Sequence, residues 1–197
     1  MPYYCIYGSV PEQITNLVKS LRITDEKQLK TPNSEEPHIT IMYGPYIDDG
    51  VPEVTGSNTL QEVDNVLGGF ISEFKNKPMP KFRITGVSYF DRSEGNILKL
   101  EIESSDLTDM QVYLRNNTCH TYDEFRENTK HLDDSYAMPP VRWCHLTLGF
   151  IRKEVPIDDL VAKCSNQLRE SGCELDNLNV TGIDLITAVT DTRISLW

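Results

Sequence analysis

Two of the four histidines in this chain sit in the same short pattern, His38-Ile39-Thr40 and His145-Leu146-Thr147. In a strand, residues i and i+2 share a face, so each triplet presents an imidazole beside a hydroxyl and turns Ile39 or Leu146 inward. Histidine titrates near neutral pH and can take or give a proton. Two of them, one entering neutral and one protonated, supply the base and the acid needed to break a phosphodiester next to a hydroxyl. Two threonine hydroxyls can donate to the non-bridging oxygens and stabilise developing charge. Such a reaction needs no metal. His38, Thr40, His145 and Thr147 are therefore the predicted catalytic set.

The elements that must position these residues are read from apolar spacing. Residues 3 to 8 predict a strand, and 11 to 22, with Ile14, Leu17, Val18 and Leu21, an amphipathic helix. The run 38 to 43 alternates polar and apolar and ends at the turn signal Gly44-Pro45. A helix is expected over 58 to 76, capped by Asn58 or Thr59 and weakened by Gly68-Gly69. Strands are expected at 81 to 90 and 96 to 103, followed by a helix over about 107 to 115 started by Ser105 or Asp106. The second histidine strand spans 145 to 150, a helix 157 to 171 is closed by Gly172, and strands follow at 178 to 187 and 191 to 197.

That order repeats, and so does its sequence. Residues 82 to 101 slide onto 178 to 197 at an offset of 96 without a gap, with Thr85/Thr181, Gly86/Gly182 and Leu100/Leu196 identical. Phe82/Leu178, Ile84/Val180, Val87/Ile183, Phe90/Ile186 and Leu98/Ile194 stay apolar, which preserves the side of the sheet each residue faces. An internal duplication is the expectation, with the two triplets at corresponding places. Related by a pseudo-two-fold axis, they would converge on one phosphate. The spacing from histidine to repeat threonine is longer in the first half, which predicts an extra loop around Asp48 to Ser57.

A chain of 197 residues fits one domain over 1–197. With 30 acidic and 19 basic residues its formal charge is -11, a field that repels long polyanions. Long RNA or DNA is thus a poor partner, whereas a small nucleotide or short oligonucleotide needs only a few local cations. Cys5, Cys119, Cys144, Cys164 and Cys173 are an odd set without CxxC spacing and read as reduced packing residues. No basic and apolar leader opens the chain and no apolar run is long enough for a membrane span, so a cytoplasmic monomer without membrane contact is expected.

Two H-x-[ST] motifs in a duplicated chain resemble the two-histidine (2H, LigT-like) phosphoesterases, over essentially the whole length. That family includes RNA cyclic phosphodiesterases, 2'-5' RNA ligases, viral enzymes that degrade 2'-5' oligoadenylates and phage nucleases that destroy cyclic oligonucleotide signals. The resemblance implies an α+β fold, bilobal, with two antiparallel sheets and flanking helices around a central cleft. It implies that His38 and His145 are catalytic, that Thr40 and Thr147 grip phosphate, and that no cofactor is used. A viral or phage member would work in the host cytoplasm to erase an immune signal. RNA-end processing of 2',3'-cyclic phosphates is the alternative within the family. The rival of another class is a nucleotide-binding module without turnover.

Other residues are nominated to bind substrate. Trp143, two residues before His145 and on the same strand face, could stack on a nucleobase, as could Tyr43, Tyr46 and Trp197, for which core packing competes. Arg142, Arg152, Lys153, Arg83 and Arg193 are the cations nearest the strands, and Arg142 is the one beside Trp143. His120 and His131 lie in a polar stretch and read as part of a solvated loop or helix, not as metal ligands. The stretch from Asn116 to Pro140 reads either as a lid or as a plain surface loop.

Overall fold

Strand Ile97–Glu103 is buried on both faces from Ile97 to Leu100 and then alternates, with Ile102 buried and Glu101 and Glu103 exposed, the period of two that one covered face imposes. The computed structural model describes residues 3–24, 27–31, 36–46, 60–91, 95–117, 144–152, 154–187 and 192–197. In chain order the elements are β1 (Tyr3–Ser9), α1 (Glu12–Thr24), β2 (Leu29–Lys30), β3 (His38–Tyr46), α2 (Leu60–Phe74), β4 (Lys81–Phe90) and β5 (Ile97–Glu103). They continue as α3 (Ser105–Asn117), β6 (His145–Ile151), α4 (Ile157–Glu170), β7 (Leu178–Asn179), β8 (Gly182–Thr187) and β9 (Thr192–Ser195). The fold is α+β.

The strands run antiparallel in the order β7-β4-β5-β6-β3-β1-β8-β9, with β2 also paired to β6. This corrects the expectation of two separate sheets: β3 and β6 pair at Ile39↔Leu146, which joins the halves into one path. The pairing removes two inner edges whose backbone groups would otherwise lie open. Buried side chains from the helices cover the Leu98-Leu100-Ile102 face of β5 and its neighbours: Ile14, Val18 and Leu21 of α1, Phe70 and Phe74 of α2, Leu107, Met110 and Leu114 of α3, and Leu160, Cys164 and Leu168 of α4. Their spacing of three and four residues is that of one helical stripe.

The expected strand over 178 to 187 is broken. Leu178 and Asn179 pair with β4, then Val180 N–H donates to the Pro80 carbonyl, Thr181 N–H donates to the Ser9 carbonyl, and β8 pairs with β1. Two consecutive residues thus bridge strands at opposite ends of the path, so the sheet must curl until its ends meet. Gly8 lets Val180 pass closely; a Cβ there would meet Val180 Cγ1 at 3.2 Å. At the sequence offset of 96 Thr181 aligns with Thr85, where β4 carries a bulge between Ile84 and Gly86. Corresponding positions distort on both sides, by a bulge in one and a break in the other.

Three local expectations change. β3 continues through Gly44-Pro45 to Tyr46, because an extra residue between the pairs Cys5↔Tyr43 and Tyr3↔Tyr46 forms a bulge that accommodates proline. α3 is capped one residue earlier than expected: Ser104 Oγ accepts from Leu107 N–H at 3.0 Å. Gly68-Gly69 does not interrupt α2, since Gly69 is where α2 meets Tyr113 of α3, and a Cβ there would lie 2.6 Å from the Tyr113 hydroxyl. Gly172 does follow α4, in the left-handed region at φ 66°. The proposed cap at Asn58 or Thr59, the loop at 48–57 and the stretch 118–140 lie outside the described residues.

Candidate active site

The Ile39↔Leu146 pair is the centre of the site. Counting one residue outward along antiparallel strands sets His38 opposite Thr147 and Thr40 opposite His145, so the triplets meet head to tail. Ile39 and Leu146 are fully buried while all four catalytic candidates are half-buried, which puts imidazoles and hydroxyls together on the face away from the helices. The register extends the rows: Ser9 lies opposite His38 and Tyr7 opposite Thr40 on one side, Lys99 opposite Thr147 and Glu101 opposite His145 on the other. Asp184 and Ser88 come next, opposite Tyr7 and Lys99 respectively.

Both histidine strands are distorted at the same point. Ile6 pairs with Met42 and Tyr7 with Thr40, which leaves Ile41 as an extra residue; Leu98 pairs with Gly149 and Lys99 with Thr147, which leaves Leu148. Each triplet is therefore followed at once by a bulge, a device that re-aims neighbouring side chains. On β6 the bulge is held by Arg22, whose Nε donates to the Leu148 carbonyl at 3.0 Å and whose Nη2 donates to the Thr147 carbonyl at 2.9 Å. Burial lowers the Arg22 pKa, and Glu36 acts in the opposite direction. Gly149 completes the joint: a Cβ there would meet the Lys30 carbonyl oxygen at 3.0 Å, so glycine lets β2 cross closely.

The two imidazoles have different neighbours. His38 stacks on Tyr7, ring centroids 3.8 Å apart and planes 25° from parallel. Its Nδ1 lies 3.1 Å from the Glu36 carbonyl, and because a carbonyl only accepts, Nδ1 carries hydrogen. Nε2 is then the nitrogen whose protonation can change. His145 instead packs at right angles to Phe90, ring centroids 4.9 Å apart. Lys99 Nζ sits over that same Phe90 ring at 4.5 Å and 3.4 Å from Glu101 Oε1. Each wall also carries one hydroxyl-carboxylate bond: Ser9 Oγ donates to Asp184 Oδ2 at 2.9 Å, and Ser88 Oγ donates to Glu101 Oε1 at 2.8 Å.

The structure thus brings together the four residues of the triplets. Tyr43 lies on β3 opposite Cys5, while Trp143 and Arg142 lie outside the described residues. Trp197 packs against Phe70 of α2, ring centroids 5.5 Å apart, and its carbonyl accepts from Ile183 N–H, which is the core-packing alternative. Arg83 is exposed and paired with Glu103 at 2.6 Å, and Arg152 is exposed beyond β6. Cys144 precedes His145, but burial pushes its thiol up to about 12, so it stays protonated and is a poor nucleophile at neutral pH. Among the described residues no cluster of three or more histidines, cysteines and carboxylates could hold a metal ion.

Lys99, Tyr7, Glu101 and Arg22 were not found by sequence reasoning. Arg22 was accessible to it, since it continues the Ile14-Val18 row of buried residues at a spacing of four. Lys99 interrupts the apolar run Ile97-Leu98-Lys99-Leu100, and its alternation with Leu98 and Leu100 was the signal.

An antiparallel α+β fold with two His-x-Thr strands at its centre can be compared with solved structures. The chain is similar in outline to Kluyveromyces marxianus Usb1 solved with uridine monophosphate, at 11% identity and a TM-score of 0.47, covering 99% of this chain and 97% of that one. A second structure of Kluyveromyces marxianus Usb1 gives 10% identity and a TM-score of 0.48, covering 99% and 96%. No family model and no curated protein matches the sequence.

Proposed function

We propose that this chain is a two-histidine phosphodiesterase that cleaves a nucleotide phosphodiester beside a free hydroxyl. The observation that carries the reading is the Ile39↔Leu146 pair, which sets two imidazole-hydroxyl couples face to face on one side of the sheet. One neutral histidine takes the proton of the attacking oxygen, and the other, protonated, delivers a proton to the leaving oxygen. Thr40 and Thr147 donate to the non-bridging oxygens of the phosphate between them. Both proton transfers are provided by side chains, so a metal ion has no required part.

An internal duplication is the proposed origin of the site. In its support, exchanging the two ends of the strand path swaps β6 with β3, β5 with β1 and β4 with β8. The same exchange places Ser88 on Asp184 and Gly86 on Gly182, the pairs related by the offset of 96, but it sets β5 on β1 where the offset sets it on β9, so the correspondence holds for β4 and β8 and not for the Leu98/Ile194 and Leu100/Leu196 matches. The proposed substrate is a small signalling nucleotide, cyclic or 2'-5' linked, since a net charge of -11 disfavours long RNA.

The test is to incubate the wild type, His38→Ala and His145→Ala with 2',3'-cyclic nucleotides, 2'-5' oligoadenylate and cyclic dinucleotides in excess EDTA. Each substitution should lower kcat by about 10²- to 10⁴-fold, the usual range for a positioned acid or base. Wild-type cleavage that EDTA abolishes, or that both variants retain, would sink the mechanism. Binding without turnover by the wild type would favour the nucleotide-binding module.

A further inference from the structure

We infer that Lys99 is a phosphate-binding residue of this site, a positive charge beside Thr147 where the other wall places Tyr7 beside Thr40. The inference rests on the phosphodiesterase reading and adds to it the residue that receives the phosphate charge. Lys99 lies in register between Ser88 and Thr147. Side chains directly opposite each other on neighbouring strands have Cβ atoms about 5 Å apart, within reach of a long ammonium stem. Leu98 and Leu100 are fully buried on the helix side, so Lys99 projects to the histidine side. There its ammonium sits over the Phe90 ring, against which His145 packs at right angles. Ammonium, ring and imidazole form one cluster.

Burial makes this charge effective. Lys99 is 6% exposed. A charge sheltered from solvent acts at a lower effective dielectric and is weakly screened by salt. Glu101, held by Ser88, lies on the His145 side of the ammonium and fixes its position. In a chain of net charge -11, a local cation is also what an anionic substrate requires. The exchange of strands that places His38 on His145 places Tyr7 on Lys99, so the two positions beside the threonines differ in kind. A phosphate bound between them is drawn toward Thr147 and Lys99, and the Tyr7-His38 stack faces its other side.

The experiment compares wild type, Lys99→Met and Lys99→Arg for cleavage of the same panel, and for calorimetric binding of adenosine 2'-monophosphate and of adenosine. Lys99→Met should weaken monophosphate binding and raise KM by about 10- to 100-fold, the weight of a charged hydrogen bond, and leave adenosine binding unchanged. Lys99→Arg should retain most of the affinity. The difference between wild type and Lys99→Met should persist at about 0.5 M salt, which separates a sheltered charge from a surface one. In the wild type itself, the Lys99 side-chain NMR resonances should shift on titration with the monophosphate and not with adenosine, a measurement that needs no variant to fold.

A folded Lys99→Met that matches wild type in KM and monophosphate affinity, or resonances that stay fixed at saturation, overturns the assignment while wild-type cleavage leaves the phosphodiesterase reading standing. A wild type that cleaves nothing but binds the monophosphate through Lys99 overturns that reading alone. If it neither cleaves nor binds, both fall.

Discussion

The two walls of the site share one backbone plan and differ in almost every side chain around it. On each, a His-x-Thr strand bulges immediately after the threonine, at Ile41 or Leu148, and pairs with a strand that sets two residues opposite the triplet. On the β3 wall those residues are Ser9 and Tyr7, and on the β6 wall Glu101 and Lys99. The hydroxyl-carboxylate bond is kept with its partners exchanged: the inner strand supplies the hydroxyl in one wall and the carboxylate in the other. Hydrogen bonding and register are what the shared frame requires, and charge is where the walls diverge. The His-Thr couples are alike, so their surroundings distinguish one side of the site from the other.

Substituting the threonines tests that distinction most strongly. Thr147→Val and Thr40→Val should each lower kcat by about 10²-fold if both hydroxyls stabilise the transition state. With Lys99 beside Thr147, Thr147→Val should also raise KM while Thr40→Val does not. Steady-state kinetics on a cleaved member of the panel reads both quantities, and identical KM values would break the comparison.

Arg22→Met comes next, because the β6 bulge depends on one guanidinium. Removing its two bonds to the Thr147 and Leu148 carbonyls should destabilise the fold by about 2–3 kcal/mol, measured by urea denaturation. Activity should fall further than the folded fraction does, since the freed bulge lies beside Thr147, which we propose as a phosphate-gripping residue. A variant with unchanged stability would mean that the bulge holds itself.

The smallest effects separate the two hydroxyl-carboxylate bonds. Asp184 is buried, so Ser9→Ala takes a donor from a sheltered carboxylate and should cost about 1–3 kcal/mol. Glu101 is half exposed, so water replaces Ser88 and Ser88→Ala should cost under about 0.5 kcal/mol. Thermal melts of the two variants check both statements, and equal losses would remove the contrast in burial.

Much of this molecule was legible beforehand because local rules fixed it. The period of two around Ile39 and Leu146 marked which side of each strand would be covered, and the spacing of Ile14, Leu17, Val18 and Leu21 marked a helix stripe. The offset of 96 placed Gly86 and Gly182 at what became matching positions. What local rules could not reach were events decided by a distant partner. The strand from Leu178 breaks because its ends are claimed by β4 and β1, and Gly69 survives inside a helix because Tyr113 needs the room.

The sequence by itself determined the chemistry available to the site: two imidazoles, two hydroxyls, and an alternation that turns each couple to one face. Only the tertiary structure decided that the couples meet, because Ile39 and Leu146 lie more than a hundred residues apart and their pairing depends on a shared strand edge. It also decided which cation stands beside them. Arg83, a cation nominated from the sequence, is turned to solvent with Glu103, whereas Lys99 is sheltered beside Thr147, since register across strands sets neighbours that distance along the chain does not.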